Sequence, residues 1–358
     1  MKMMNKKVLV AMSGGVDSSV AALLLQEAGY EVAGVTMCLG VRGAQGERPR
    51  CCGPDAVQDA KWVCDKLGIR HHVLDYADEL ESRVIDPFVD AYAHGRTPNP
   101  CVACNRYLKF GSLIARTVAL GFDALATGHY ATVEKQKDGY HLSRPRDKRK
   151  DQTYFLYHID AKILPRVLFP LGPYTKEEVR ALAVRAGLPV AAKAESQDVC
   201  FVTQGTYQAF LRERLGEQKD GHIVDRSGRV LGSHKGIPYY TVGQRGGLGI
   251  SHPVPLYVLE IDREKNEIVV GEKKDLLGRT LVAGDLNLFR RDWPDVVQAK
   301  IRYRKKESPC RVSFEHGRLR VVFMEDQEAI TPGQSVVFYE GEEVLGGGVI
   351  EEVVHGAC

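Results

Sequence analysis

The sequence predicts an α/β domain with a mostly parallel sheet, followed by two small all-β modules, the last of them a β-barrel. Three observations predict it. First, a β-branched apolar run, Lys7-Val-Leu-Val-Ala-Met12, meets a Gly-rich turn and then an apolar helix, Val20-Ala-Ala-Leu-Leu-Leu25, which stops at Ala28-Gly29. A second run, Glu31–Met37, completes a βαβ unit. Second, from about Gly221 the pattern changes to short alternating runs separated by SG, KG, GG, KN and GR turns. Third, 358 residues exceed one ordinary domain, and a break at Leu277-Gly-Arg-Thr280 divides the β half. The expected domains are residues 1–216, 217–278 and 279–358.

Composition narrows the function classes. Hydrophobic content of 44% and charged content of 27% are those of a soluble globular protein. No apolar run approaches the roughly 20 residues of a membrane span, so no membrane partner is expected. The N-terminal lysines precede an apolar run that enters SGGVDSS at once, without a small-residue cleavage site, so this run reads as the first strand and the protein as cytoplasmic. A net charge of +3 is too mild to announce nucleic acid, and any basic surface must be local. Nine cysteines argue for thiol chemistry or metal rather than a disulfide framework. Cys64 sits in an apolar helical pattern and reads as a buried small side chain; Cys38, Cys51, Cys52, Cys310 and Cys358 carry no assigned role.

The turn Ala11–Ser19, AMSGGVDSS, organises the chain. Strand, Gly-rich turn and helix N-terminus together aim backbone N–H groups and the positive end of a helix dipole at an anion. Gly14 and Gly15 let backbone approach a phosphate, Ser13, Ser18 and Ser19 can donate hydroxyls, and Asp17 can hold Mg²⁺. SGGVDSS resembles the motif of the PP-loop ATP pyrophosphatases, which cleave ATP between the α and β phosphates. No GxxxxGK[ST] occurs anywhere in the chain, which disfavours γ-phosphoryl transfer.

Downstream, residues 38–53 read as a long loop carrying Cys51-Cys52, then a helix over about 56–67, a strand His71–Asp75 that His71 and His72 line or flank, and a helix to about Ala93. In Gly95-Arg-Thr-Pro-Asn-Pro-Cys-Val-Ala-Cys-Asn-Arg106 the prolines fix a turn before a helix of roughly 105–120. Cys101 and Cys104, three apart, can both face one point at that helix's N-terminus, where thiolate is favoured. Asp123–Ala131 reads as a buried strand entering a Gly-His-Tyr turn, where Gly128 can admit a nucleotide. A hairpin turns at Asp138-Gly139, and a run with five basic residues among the seven of 144–150 adjoins Asp151-Gln152-Thr-Tyr-Phe155. Such a run is either a solvated face or a contact for phosphate backbone and unstacked bases. Thr175-Lys-Glu-Glu178 is a capping box, Glu195–Phe201 sets Cys200 in a polar turn, and Lys300–Lys306 again mixes basic residues with an aromatic.

Taken together, SGGVDSS, TPNPCVACNRYLKFG, ATGHYA, KDQTYFL, AESQDVCF, GQRGGLGI and KIRYR resemble one family along the whole chain: the bacterial tRNA-specific 2-thiouridylases (MnmA). The resemblance implies adenylation of the C2 carbonyl oxygen of a wobble uridine by ATP with Mg²⁺, then replacement of AMP by sulfur. It implies tRNA as substrate and a cysteine desulfurase or sulfur-carrier protein as sulfur donor. By motif matching, the nucleophile falls on Cys104 and the persulfide on Cys200. Nucleotide contacts fall on Ala11, Met12, Ser13, Gly14, Gly15, Val16, Asp17, Ser18, Met37 and Gly128. Contacts to tRNA fall on Lys150, Asp151, Gln152, Arg302 and Tyr303, and those to the target base on Asn99, Pro100 and Cys101.

Many members of that family carry Asp where this chain has Cys101. The third thiol opens a second chemistry, in which Cys101, Cys104 and Cys200 ligate three irons of a [4Fe–4S] cluster and the fourth iron binds sulfide. Structural zinc normally takes four protein ligands, and three are evident. Persulfide and cluster both stay open, and either way the three thiols are expected to converge beside the α-phosphate. The chemistry needs these parts: an amide-like carbonyl oxygen leaves poorly until adenylated, and sulfur must arrive without bulk water. Another PP-loop adenylating synthetase finds no glutaminase-like segment here. A non-catalytic zinc-stabilised RNA-binding protein would not require Asp17 and Ser18.

Overall fold

The computed structural model describes residues 6–40, 54–193, 199–202 and 206–354. They form two compact units. Unit 1 takes in Met1–Val84, Cys101–Phe201 and Gly341–Val344; unit 2 takes in Ile85–Pro100, Val202–Glu340 and Leu345–Cys358.

Unit 1 is built on a five-stranded sheet whose neighbouring strands are all parallel: β1 (Lys7–Ala11), β2 (Glu31–Cys38), β3 (Arg70–Asp75), β4 (Ala124–Ala126) and a two-residue strand, Val167–Leu168, in the order β3-β2-β1-β4 and then Val167–Leu168. Val8, Leu9 and Val10 of β1 are fully buried, which is why that run is continuously apolar. Helix α1 (Val16–Glu27) follows β1 and ends where Gly29 takes φ +85°, the left-handed conformation that suits glycine past a helix end. Helix α2 (Pro54–Leu67) carries Cys64 into the same apolar cluster as Val8, Val10 and Val20. The helix Lys176–Arg185 opens with the predicted capping box, Thr175 and Glu178 each bonding the other's backbone N–H. The hairpin around Gly139 joins Thr132–Lys135 to Tyr140–Ser143.

Two expectations need correction. The strand expected from Asp123 up to the Gly-His-Tyr turn is short, Ala124–Ala126, because the chain leaves the sheet after Thr127, whose N–H bonds Leu168 O at 3.2 Å. The helix expected over 105–120 is composite: Pro100–Ala103 is α, Cys104–Leu113 is π, and Ile114–Ala119 is α again.

Unit 2 holds two β assemblies. Gly221–Asp225, Val230–His234, Tyr257–Asp262 and Glu267–Gly271 form a four-stranded sheet over Ile223, Val258, Ile268 and Val270. The expected break at 277–280 is the start of a twelve-residue strand, Leu277–Leu288. That strand pairs with both Arg318–Glu328 and Glu343–Val354, closing a six-stranded barrel around Leu281, Val321, Phe323 and Phe338. One two-residue turn of the barrel is His316-Gly317, at φ +49° and +79°, between paired Glu315 and Arg318. Ile85–Pro100 is tied into this unit where Thr97 N donates to Pro332 O at 3.0 Å and Gln334 Nε2 donates to Thr97 O at 2.8 Å. Among the described residues no helix is long and apolar enough to cross a membrane.

Candidate active site

The PP-loop is braced from its first residue. Met12 N donates to Val35 O at 2.7 Å and Thr36 Oγ1 to Met12 O at 3.0 Å, fixing how the chain leaves β1. Gly14 sits at φ +68°, and a Cβ there would lie 2.3 Å from Ala56 O, so only glycine fits. Ser18 Oγ accepts from Ser13 N at 3.2 Å, and Ser19 Oγ donates to Gly15 O at 2.8 Å. Gly15 caps α1 with no side chain, leaving the positive end of the helix free of a capping carboxylate or hydroxyl. Ala11, Met12, Ser13, Gly14, Gly15, Val16, Asp17 and Ser18 therefore run from the end of β1 through the turn into the first residues of α1, with Met37 near the C-terminal end of the neighbouring strand β2.

Asp17 is held on both oxygens. Lys176 Nζ donates to Oδ1 at 2.7 Å and to Oδ2 at 2.8 Å, and Tyr130 Oη donates to Oδ1 at 3.0 Å. Asp17 was expected to present a carboxylate to Mg²⁺; as placed, that carboxylate faces protein donors. Lys193 Nζ donates to Gly14 O at 3.0 Å and pairs with Asp59 at 2.6 Å.

The three residues after Thr127 tie this loop to the thiols. A Cβ on Gly128 would stand 2.6 Å from Ser18 N, so the turn presses on the start of α1. His129 Nε2 lies 3.5 Å from Lys109 Nζ, and its Nδ1 lies 2.7 Å from Thr127 Oγ1. An ammonium at Nε2 leaves the proton on Nδ1, pointing to Thr127. Burial first, and then Lys109, hold the His129 pKa well below the usual histidine range, so the ring is neutral. Tyr130, next along, is the donor to Asp17.

Cys104 is buried and opens the π-helix, while Cys101 is solvent-exposed. At about 100° per residue, an α-helix would put residue 109 about 140° around from residue 104. The i→i+5 repeat of the π-helix brings the two back towards one face. Desolvation raises the pKa of both thiols and the Lys109 ammonium opposes it. The Cys104 thiol adds slightly to the rise at Cys101. Asn105, also buried, donates to Phe155 O at 3.0 Å, while its Oδ1 has no partner.

Cys200 is exposed, and most of its motif, residues 194–198, lies outside the described residues, as do Cys51, Cys52 and Cys358. Among the described residues no three His, Cys, Asp or Glu side chains are grouped to hold a metal ion, so Cys200 does not stand with Cys101 and Cys104 as a ligand set. Cys64 and Cys310 are buried with pKa pushed up to about 12, the profile of inert core thiols.

The expected tRNA contacts are distributed over both units. In unit 1, Asp151 is buried and accepts from Thr153 N at 2.9 Å, and Gln152 Oε1 accepts from Tyr130 N at 2.8 Å. The basic run is matched by carboxylates: Arg144 faces Asp151 (3.6 Å), Arg146 faces Glu178 (3.1 Å), Arg149 faces Glu177 (2.9 Å), and Lys148 pairs with Glu342. Asp147 accepts from Lys176 N at 3.1 Å. Burial alone would raise its pKa, but the hydrogen bonds from Lys176 and Arg149 outweigh that and lower it. In unit 2, Arg302 Nη2 donates to Thr331 Oγ1 (2.7 Å), Ala329 O (2.8 Å) and Val242 O (3.3 Å), and the Lys300 ammonium lies 5.5 Å from the Tyr303 ring centre. Asn99 and Pro100 belong to unit 2, whereas Cys101 begins the next stretch of unit 1.

Lys109, His129, Tyr130, Lys176 and Lys193 were not singled out as site residues from the sequence. Lys109 did lie inside the TPNPCVACNRYLKFG stretch, and His129 and Tyr130 inside ATGHYA; Lys176 was hidden inside the capping box.

Residues 6–204 match the profile described as tRNA methyl transferase HUP domain, 208–272 that of the tRNA methyl transferase PRC-barrel domain, and 279–350 that of the aminomethyltransferase beta-barrel domain. The chain is 56% identical over 354 residues to the tRNA-specific 2-thiouridylase MnmA 1 of Syntrophus aciditrophicus, covering 99% of this chain and 95% of that one. It is 51% identical to the tRNA-specific 2-thiouridylase MnmA of Carboxydothermus hydrogenoformans, covering 97% and 98%. Among solved structures, the U34-tRNA thiolase NcsA from Methanococcus maripaludis matches at 20% identity and TM-score 0.34, over 60% of this chain and 65% of that one, a likeness too slight to bear on chemistry. The chain belongs to the tRNA-specific 2-thiouridylase (MnmA) family.

Proposed function

We propose that the protein thiolates C2 of the wobble uridine of tRNA at the expense of ATP. The observation that carries this reading is the turn at 128–130, in which Gly128 abuts the PP-loop, His129 faces Lys109, whose charge acts on Cys101 and Cys104, and Tyr130 grips Asp17. An activating site and a sulfur site thus share one turn. The uridine oxygen bonds the α-phosphorus as the bond to pyrophosphate breaks, and the electron pair leaves on pyrophosphate. The terminal sulfur of a Cys200 persulfide then attacks C2, and AMP departs with the oxygen. Attack of the Cys104 thiolate on Cys200 Sγ cleaves the S–S bond, leaving the thiocarbonyl on the base and a Cys104–Cys200 disulfide for an external thiol to reduce.

The sulfur comes from a cysteine desulfurase or sulfur-carrier protein, and Cys200, on an exposed turn, is the thiol such a donor can reach. As placed, Cys101, Cys104 and Cys200 do not fit a [4Fe–4S] cluster. The domain reading 1–216, 217–278 and 279–358 assigns catalysis to the first segment and tRNA contact to the last. The test is to incubate protein, ATP, Mg²⁺, a sulfur donor and tRNA, then digest the tRNA and measure 2-thiouridine by mass spectrometry. Product dependent on both ATP and the protein is expected. Pyrophosphate release without thiolated nucleoside would overturn the reading.

A further inference from the structure

Resting on the PP-loop reading, we propose that Lys176 is the protein's own cation for the pyrophosphate half of ATP, and that Asp17 is the carboxylate that positions it. Three observations lead there. Lys176 is the one lysine among the described residues classed as buried, with a side chain 8% exposed, whereas its partner Asp17 is 32% exposed. A buried ammonium is costly without a counter-charge, and both oxygens of Asp17 supply it at 2.7 and 2.8 Å.

The pair sits at the phosphate end of the site, because Asp17 is the second residue of α1, whose uncapped N-terminus faces the loop. Lys193 is also at this loop, on Gly14 O and Asp59, but its side chain is 41% exposed, so its ammonium stays hydrated where that of Lys176 does not. Lys176 is also held from behind: its backbone N–H is bound by Asp147, and its ammonium lies 5.8 Å from the Tyr130 ring centre. A lysine fixed at its backbone, its head and its flank has lost most of the entropy that a flexible surface lysine would lose on binding an anion.

The chemistry gives such a cation a task. As the α-phosphorus–oxygen bond breaks, negative charge accumulates on departing pyrophosphate, and a desolvated ammonium stabilises that charge better than one in water. Asp17 and Lys176 cancel each other while the site is empty. Pyrophosphate, with several negative charges, competes with a single carboxylate for the ammonium. Asp17 accordingly acts first on Lys176 and not as a bare ligand to a cation.

The test is calorimetric titration of the full chain with inorganic pyrophosphate in EDTA, alongside a titration with MgATP. Wild type should bind pyrophosphate without metal. Lys176→Met should weaken that binding at least tenfold, and Lys176→Arg should restore most of it. Because Lys176→Met strands the Asp17 charge, the double variant Asp17→Asn/Lys176→Met serves if the single one fails to fold, with the same loss expected. Should wild type bind MgATP but not metal-free pyrophosphate, or should either Met variant bind pyrophosphate within twofold of wild type, the role assigned to Lys176 is wrong while the PP-loop reading stands. If wild type does not bind MgATP, both fall.

Discussion

Gly128 lies so close to Ser18 that a methyl group on it would stand 2.6 Å from the Ser18 backbone nitrogen and 2.8 Å from the Asp17 carbonyl carbon. The turn that follows β4 is thereby wedged against the first residues of α1, and glycine is what permits the approach. Gly128→Ala must push the turn off the PP-loop or shift the helix. Overpacking of this kind costs about 1–3 kcal/mol. We expect MgATP affinity to fall about tenfold or more, which corresponds to about 1.4 kcal/mol, alongside that loss of stability. Calorimetric titration checks it, and unimpaired ATP binding would show that Gly128 is not at the nucleotide site.

Arg302 and Lys306 share one basic stretch but should behave differently. Arg302 Nη2 serves three acceptors, two of them backbone carbonyls, so Arg302→Gln should cost about 2 kcal/mol of stability by leaving those groups short of a donor. Lys306 is exposed, and Lys306→Gln should leave stability within about 0.5 kcal/mol while lowering the salt dependence of tRNA binding by about one phosphate contact. Denaturant unfolding and a salt series on tRNA binding separate the two.

His141 supplies a pH signature. Burial alone would lower its pKa, but hydrogen bonds to Glu343 (2.7 Å) and Asp138 (3.0 Å), with their charges, more than offset it and the net shift is upward. A group whose folded pKa is raised contributes stability that is full below its unfolded pKa of about 6.5 and is lost as pH rises through the folded value. The difference in Tm between wild type and His141→Gln should therefore be larger at about pH 6 than at about pH 9. An equal or reversed difference would contradict the pairing.

Thiol reactivity should follow burial. At mildly alkaline pH, iodoacetamide should label the exposed Cys101 and Cys200 while sparing the buried Cys64 and Cys310, whose pKa values are raised to about 12. Peptide mapping by mass spectrometry reads this directly. Rapid labelling of Cys64 in folded protein would mean that the α2 packing is wrong.

The sequence carried the PP-loop, the βαβ order, the capping box and the β half from Gly221 because each rests on local pattern: an apolar period, a glycine at a left-handed position, a hydroxyl three residues before a glutamate. The π-helix at Cys104–Leu113 was not legible, since i→i+4 and i→i+5 bonding draw on the same residues and only the surrounding packing chooses. The partners of the basic run were hidden for another reason. Glu177, Glu178 and Glu342 lie far along the chain, and an isolated charge run looks the same whether its neighbour is phosphate or carboxylate. Lys176 illustrates both limits: Thr175 and Glu178 explain the helix start, and nothing local says that the residue between them reaches Asp17, 159 positions away.

The measurement that bears most directly on the sulfur chemistry is the yield of 2-thiouridine from wild type, Cys101→Ser, Cys104→Ser and Cys200→Ser under one defined sulfur donor with ATP. The persulfide account predicts no thiolation by Cys104→Ser or Cys200→Ser, with ATP binding intact in both, and substantial thiolation by Cys101→Ser. Loss of bound iron together with activity in Cys101→Ser would point to the cluster chemistry instead, and full thiolation by Cys200→Ser would contradict the account.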